Sequence, residues 1–482
     1  MNYPMTRYAL GRIIFINGLL MLPSILVALI YGEGWQGVYP FLLPLFLCLS
    51  GGWLLSYRKP DKPDFFMREG FVVVGLSWFL ISAVGALPFV ISGCIPSFLD
   101  AFFEASSGFT TTGASVLSQP ELLPHSQLFW RSFTHLIGGM GVLVFALAIM
   151  PKIESDNVFI MKAEVPGPIF GKIQAKVRNT ARVLYAIYLG MTLILIILLI
   201  AGGMSVFDSM LHAFGAAGTG GFGIKSNSVA FYNNYYLYYV LAFGMIAFGV
   251  NFSLYYALLG KRFREFFHSE ELRWYVGCIL VAVAIILFNT RQLYDNFFLH
   301  LRDVFFTVAS IITTTGYTVA DFDGWPLLSH VVLLCLMFIG GMAGSTAGGL
   351  KVSRITVYVK SALAELRTSL NPNRRVSLTF EHKPLSSQVR SQFSNYLIIY
   401  LLTFVSLLLV ASLSVPNFIS AFSSVAATFN NIGPGLDVVG PAGSYAGLSD
   451  LSKLVLSIGM IMGRLEIIPI LVLLSPRTWR RI

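Results

Sequence analysis

Four short stretches of this sequence align without gaps on a glycine. They are Asp100–Gly113 (DAFFEASSGFTTTG), Asp208–Gly221 (DSMLHAFGAAGTGG), Asp303–Gly316 (DVFFTVASIITTTG) and Ser420–Gly433 (SAFSSVAATFNNIG). Their glycines stand 108, 95 and 117 residues apart. Self-similarity at such a period restricts the fold more than any single motif, because one supersecondary unit must recur and pack against copies of itself. Asp100, Asp208, Asp303 and Ser420 share one register position. All four are good N-caps, so each stretch reads as a short helix starting there and ending in a glycine loop. Bulky Phe102, Met210, Phe305 and Phe422 share a second position; Ala105, Ala213, Val308 and Val425 share a third.

Each stretch lies between two longer apolar runs. Ten such runs fall near residues 13–31, 38–57, 70–93, 126–150, 183–204, 234–260, 274–290, 327–350, 394–415 and 452–474. About 20 apolar residues cross a bilayer, so the runs predict ten crossings, and the shorter segments between them predict re-entrant helices. Only 12% of the 482 residues are charged, against roughly 25% in soluble domains, which excludes a soluble enzyme, a nucleic-acid binder and a disordered chain. The expected fold is an all-α polytopic membrane protein with four tandem helix–pore-loop–helix repeats around a pseudo-fourfold pore. The boundaries predicted are an N-terminal helix pair at 1–69 and repeats at 70–182, 183–273, 274–393 and 394–482.

Charge sets the orientation. Segments 1–12, 58–69, 151–182, 260–275, 351–391 and 475–482 carry 27 of the 33 Lys and Arg residues, the positive-inside pattern that puts both termini in the cytoplasm. The net charge of +10 is thereby accounted for without a polynucleotide. The first run is too long for a signal peptide and lacks a small-residue cleavage site, so it reads as a membrane helix. Cys48, Cys94, Cys278 and Cys335 are scattered singly and read as small buried hydrophobes rather than a disulfide or zinc framework.

The loops are Thr111-Thr112-Gly113, Thr219-Gly220-Gly221, Thr314-Thr315-Gly316 and Asn431-Ile432-Gly433. Backbone carbonyls turned inward replace the water shell of a dehydrated cation, and glycine supplies the backbone angles this requires. Threonine hydroxyls add oxygens, and the negative C-terminal ends of the short helices favour a cation. A second signal is Gly340–Gly349 (GGMAGSTAGG), which should break its span mid-membrane at nearly 1 kcal/mol per glycine. Gly344, Ser345, Thr346, Gly348 and Gly349 then form a plug acting as a gate, the alternative being close helix packing through small residues. Arg464, inside the last run, is a third: it repels cations beneath the loops or pins the plug, the alternative being a pair with Glu466. Lys351 either assists it or marks the cytoplasmic boundary. The loop between Lys351 and Arg390 offers a docking face or is simply solvated.

Other features carry less. Gly218-x-Gly220-x-x-Gly223 matches a dinucleotide fingerprint only formally, for no strand precedes it. His135 and His212 read as packed, hydrogen-bonded helix residues. Asp321, Asp323 and Asp437 would enrich cations at an outer mouth, and Lys225 runs against that field. Glu104 is the one obvious intramembrane carboxylate for a symporter coupled to sodium or protons. A membrane enzyme acting on lipid would need a convergent His, Asp or Cys cluster, which the sequence does not offer.

Six motifs together, SGFTTTGAS (Ser107–Ser115), GTGGF in the second loop, TTTGYT (Thr313–Thr318), AGSTAGGLK (Ala343–Lys351), AATFNNIGPGL (Ala426–Leu436) and MGRLEI (Met462–Ile467), resemble the Trk/Ktr/HKT superfamily of potassium transporters. The resemblance is strongest to its bacterial TrkH/TrkG branch. It implies an inner-membrane homodimer whose filter glycines are Gly113, Gly221, Gly316 and Gly433, with the gating loop at Gly340–Gly349 and a pore-blocking Arg464. It implies a cytoplasmic ring of TrkA-like or KtrA-like RCK subunits that carry the nucleotide, NAD or ATP/ADP, while this chain holds no cofactor beyond the K+ it transports. Glycine at all four filter positions implies potassium over sodium. The second loop, GTGGFGIK, departs from the branch pattern and leaves a less selective K+/Na+ pathway open.

Overall fold

A computed structural model describes residues 1–60, 67–141, 177–371 and 377–479. The described chain is helical apart from one two-residue hairpin, β1 (Thr379–Phe380) paired antiparallel with β2 (Lys383–Pro384). Three helices come first: α1 (Tyr3–Leu19), α2 (Leu22–Ile30) and α3 (Gly34–Ser56). One unit then recurs: a long helix, a short helix ending in a glycine loop, and a second long element that breaks.

The first repeat holds α4 (Met67–Ile91), α5 (Phe98–Phe109) and α6 (His125–Gly139). The second holds α7 (Val177–Ala201), α8 (Val206–Gly218) and the pair α9 (Tyr235–Phe248) and α10 (Phe252–Leu259), followed by a short α11 (Phe263–Phe267). The third holds α12 (Glu270–Thr290), α13 (Phe297–Ile312), α14 (Leu327–Ile339) and α15 (Val352–Leu370). The fourth holds α16 (Ser387–Ala411), α17 (Phe418–Phe429), α18 (Asp450–Arg464) and α19 (Ile468–Leu474). The chain is therefore an all-α polytopic membrane protein built on four helix–loop–helix units.

The expected starts of the short helices are corrected by three residues. Ser97, Ser205 and Asn417 are the caps, and their side-chain oxygens accept from Asp100, Asp208 and Ser420 backbone N–H. Asp100 and Asp208 thus sit in the first turn, where a carboxylate favours the positive helix end. In the third repeat the short helix starts still earlier, capped by Asn296, leaving Asp303 mid-helix.

Ten uninterrupted crossings do not form among the described residues. Among the described residues six helices are long and apolar enough to span a bilayer, taking α1 and α2 together as one (Tyr3–Ile30), or seven if α9 and α10, bent by 93°, count as one. The closing run of every repeat is interrupted: after Gly139, at Gly249–Asn251, across Gly340–Lys351, and at Leu465–Ile467. The runs near 126–150 and the basic segments 58–69, 151–182 and 351–391 fall partly outside the described residues.

Burial divides the apolar core. The first cluster joins α1 and α3 to the first and fourth repeats through Trp78, Phe109, Trp130 and Phe429; others fill the second and third repeats. The two ends of the chain meet on one face, since the Tyr3 hydroxyl donates to the Trp479 carbonyl at 2.6 Å. Cys48 is buried, but Cys335 is exposed and Cys94 and Cys278 are half-buried, so the cysteines are not uniformly core residues.

Helices α1 and α3 approach through glycine. A Cβ on Gly52 would stand 2.7 Å from the Gly11 carbonyl, whereas one on Gly51 would meet nothing within 4 Å. Gly52→Leu should therefore overpack this contact and cost about 1–3 kcal/mol. Thermal unfolding in detergent should show a lowered midpoint for Gly52→Leu and an unchanged one for Gly51→Leu.

Candidate ion pathway and gate

Each short helix ends in the same way. The N–H groups of Thr111, Thr219, Thr314 and Asn431 donate three residues back, to Gly108, Ala216, Ile311 and Thr428, at 3.0–3.2 Å. The next N–H, of Thr112, Gly220, Thr315 and Ile432, donates five residues back, to Ser107, Gly215, Ser310 and Ala427, at 2.8–2.9 Å. These paired bonds form a Schellman cap, whose left-handed residue is normally glycine. Here threonine or asparagine takes it, at φ 55°, 58°, 57° and 58° for Thr111, Thr219, Thr314 and Asn431. Left-handed threonine costs of order 1–3 kcal/mol per residue and persists where the surroundings enforce it. Two residues on, Gly113, Gly221, Gly316 and Gly433 are left-handed again, at 81°, 68°, 84° and 98°.

The four loops close into a ring. A Cβ on Gly113 would fall inside 3.0 Å of the Gly220 carbonyl, one on Gly221 on Thr315, one on Gly316 on Ile432, and one on Gly433 on Thr112. The backbone of each repeat thus abuts the next in the order one, two, three, four, one. Above the ring the four glycines line a common cavity of about 130 Å³, with Ser115, Lys225, Thr318 and Tyr445 among its walls. The Tyr445 hydroxyl also donates to the Gly433 carbonyl at 2.7 Å.

Behind the ring the repeats differ. Thr110 and Thr112 hydroxyls bond each other at 2.8 Å, as do those of Thr313 and Thr315. Loop two has glycine at this position because the His135 ring occupies the space, 2.5 Å from where a Gly220 Cβ would lie. His135 stacks on Phe222 at 4.2 Å, and neither ring nitrogen has a hydrogen-bond partner among the described residues, a correction to its expected bonding. His212 does bond, through Nδ1 to the Asp208 carbonyl.

Glu104 is not a free carboxylate. It lies at the heart of an ion pair that the sequence did not reveal: Arg131 Nε donates to Glu104 Oε1 at 2.6 Å, Ser115 Oγ at 2.9 Å and Val116 N–H at 2.9 Å. The same guanidinium reaches the Gly223 carbonyl in the second loop at 2.7 Å. Arg131 could have been found by the rule that singled out Arg464, an ionisable group inside an apolar run. Lys225 turns its ammonium over the Phe231 ring at 4.9 Å. Asp323 accepts from Asp437 N–H, and Asp437 accepts from Asn417 and Ser420, which hold its carboxyl below the usual carboxylate range.

Under the ring lies Gly340–Lys351. Gly348 N–H donates to Thr314 Oγ1 at 2.6 Å, and a Cβ on Gly348 would strike the Asn430 carbonyl. The stretch touches the loops directly. Elsewhere it is tied to the break between α9 and α10: Met342 N–H donates to Gly249, and Phe252 N–H to Gly344. Glu271 at the start of α12 accepts from Ala343 N–H within the stretch at 2.7 Å and from Ser353 N–H in the first turn of α15 at 3.1 Å. Lys351 is buried and donates to the Ala347 carbonyl, so it belongs to the stretch and is not a solvated boundary marker.

Arg464 ends α18, which stops there. Its guanidinium donates to the Thr346 carbonyl at 2.6 Å and to Gly138 and Gly139 at 2.7 and 2.5 Å. It joins the fourth repeat to the stretch and to the C-terminal end of α6. Glu466 pairs with Arg354 at 2.6 Å while Arg354 covers the Tyr396 ring, so the two-residue neighbours Arg464 and Glu466 engage different partners. Neither Glu271 nor Arg354 carried a sequence signal.

Residues 41–481 match the TrkH family of cation transport proteins. The chain belongs to that family. It is 36% identical to the Trk system potassium uptake protein TrkH of Salmonella typhimurium and 35% identical to that of Escherichia coli K12, each over 98% of this chain and 99% of the relative. The Escherichia coli TrkG protein is 31% identical over 98% of this chain and 97% of its own length. The crystal structure of the potassium transporter TrkH from Vibrio parahaemolyticus superposes with a TM-score of 0.88 over the whole of both chains, at 31% identity.

Removing Arg131 leaves Glu104 charged, buried and unpaired, at a cost of about 3–5 kcal/mol. Arg131→Gln should lower the thermal midpoint markedly, and Arg131→Gln combined with Glu104→Gln should recover part of the loss.

Proposed function

We propose that this chain conducts potassium inward across the bacterial inner membrane through the ring at Gly113, Gly221, Gly316 and Gly433. The closure of that ring, each glycine against the carbonyl of the next repeat, is the observation that carries the reading. Thr112, Gly220, Thr315 and Ile432 supply one tier of carbonyl oxygens, and Thr111, Thr219, Thr314 and Asn431 the tier below, together replacing the ion's water. The names of the relatives, potassium uptake proteins, agree with the ion. Coupling to sodium or protons through Glu104 is disfavoured, since Arg131 occupies that carboxylate.

The gate in this reading is Gly340–Lys351. Gly344, Gly348 and Gly349 let the backbone fold beneath the ring, while Ser345 and Thr346 bond within the site. Arg464 holds the stretch shut through the Thr346 carbonyl. Opening is assigned to a cytoplasmic TrkA-like or KtrA-like RCK subunit carrying the nucleotide, acting on a homodimer with both termini in the cytoplasm.

Rubidium uptake into liposomes holding the purified protein tests the ion pathway. Potassium should compete and sodium should not; equal competition by sodium would remove the selectivity claim. Gly113→Ser introduces a Cβ at φ 81° against the Gly220 carbonyl. It should cut the preference for potassium by at least tenfold, about 1.4 kcal/mol. Arg464→Ala should raise basal flux, with Arg464→Lys intermediate because an ammonium lacks the fork that spans several carbonyls. Unaltered flux in both variants would place the gate elsewhere.

A further inference from the structure

A cavity bounded by described residues lies away from the ring, beside the first three turns of α12. It has a volume of about 700 Å³. Its wall on α12 is one helix face, Glu270, Arg273, Trp274, Gly277, Cys278 and Val281. Lys360 of α15 and Thr379 and His382 of the hairpin close it at one end. The groove runs along twelve residues of helix, Glu270 to Val281, about 16 Å at 1.5 Å rise per step.

The two ends have opposite chemistry. The end at Glu270 is polar and cationic. Glu270 is already engaged, paired with Lys360 and accepting from Glu381 N–H at 3.2 Å. Arg273 is exposed and, among the described residues, donates only to the His268 and Ser269 carbonyls, at 3.3 and 3.4 Å, and His382 lines the same cavity. The hairpin is fixed to α12, with Glu381 accepting from Ser269 Oγ at 2.8 Å and Glu271 N–H at 2.9 Å, so this rim is preformed. The other end is apolar. A Cβ on Gly277 would meet nothing within 4 Å, which leaves an open floor between Trp274 and Val281. Val276, Leu280 and Val281 are exposed on the same helix, as expected of a surface facing lipid tails.

We propose that this groove is a binding site for an anionic phospholipid. Its phosphate is held by Arg273, His382 and the Lys360 ammonium, and one acyl chain lies over Gly277 and Cys278. Charge complementarity selects the headgroup, because the lining carries Arg273 and Lys360 against the single carboxylate Glu270, and basic residues at a membrane surface attract anionic lipid. The long apolar floor selects a lipid over a free phosphate. The site adjoins Glu271, which ties Ala343 of the Gly340–Lys351 stretch to Ser353 at the start of α15, so occupancy braces α12 against α15 next to the gate. The proposal does not depend on the ion carried.

Cys278 reports occupancy. In the full-length protein with Cys48, Cys94 and Cys335 replaced by Ala, the rate of maleimide labelling is measured in nanodiscs. Phosphatidylglycerol should slow labelling at least tenfold relative to phosphatidylcholine. Inorganic phosphate added to phosphatidylcholine discs should not. Gly277→Leu, which fills the floor, or Val281→Trp if that variant does not fold, should reduce the count of phosphatidylglycerol retained on delipidation, read by mass spectrometry; Arg273→Gln should abolish the preference for it. Equal rates in both lipids, or lipid retention untouched by the floor variants, would overturn the proposal. So would protection by phosphate alone, or protection that rises with protein density rather than lipid, which would mean a second copy covers the groove.

Discussion

Four contacts in which the backbone of one repeat meets the backbone of the next leave no room for a Cβ, and the rest of the molecule is arranged to keep them. Gly113, Gly221, Gly316 and Gly433 each abut a carbonyl of the following repeat. A contact of that kind cannot be relaxed by a rotamer change, so the four short helices must be held at fixed depth and angle. Their caps at Ser97, Ser205, Asn296 and Asn417 fix one end, and the Schellman bonds fix the other. The left-handed Thr111, Thr219, Thr314 and Asn431 are strained locally, which is tolerated because the surrounding core over-determines their position.

The ring has fourfold backbone and unequal support. Repeats one and three brace the loop with threonine hydroxyl pairs, repeat two packs an imidazole there, and repeat four uses Asn431, whose Nδ2 donates to Thr112 Oγ1 and the Met460 carbonyl. A single chain with four diverged copies can vary these supports one at a time while the carbonyls stay in register. Charge is unequal too. Arg131 and Lys225 stand on the side of repeats one and two, whereas Asp323 and Asp437 join on the side of repeats three and four.

What the sequence made legible follows the same division. The loops, their spacing and the membrane class were readable because glycine at a fixed register and apolar runs are local signals. The helix starts were misplaced by three residues because aspartate serves as well in the first turn as at the cap, and only Ser97 and Ser205 show which role it has. The break at Leu465–Ile467 has no glycine-rich run to announce it, and Glu466 and Ile467 adopt φ of 57° and 67° without being glycine; the break after Gly139 falls in Gly138-Gly139-Met140-Gly141 and was legible by the same glycine signal as Gly340–Gly349. The pairs Glu104 with Arg131, Glu271 with Ala343 and Ser353, and Arg354 with Glu466 join residues 27 to 112 positions apart, and no periodicity connects such partners.

The broken second elements explain why an arginine can sit at membrane depth at all. An unpaired charge there is costly, yet each break frees carbonyls that a continuous helix would have used. Arg464 takes the Gly138 and Gly139 carbonyls, at the negative end of α6, together with Thr346. Its cost is thus offset only while α6, α18 and Gly340–Lys351 stay together. Movement of the stretch away from the ring must strip the Thr346 carbonyl from the guanidinium and the Thr314 hydroxyl from Gly348 in the same event. The first loss falls on the cation and the second on a loop of the ring, so the ring and the Gly340–Lys351 stretch share one set of hydrogen bonds and cannot relax independently.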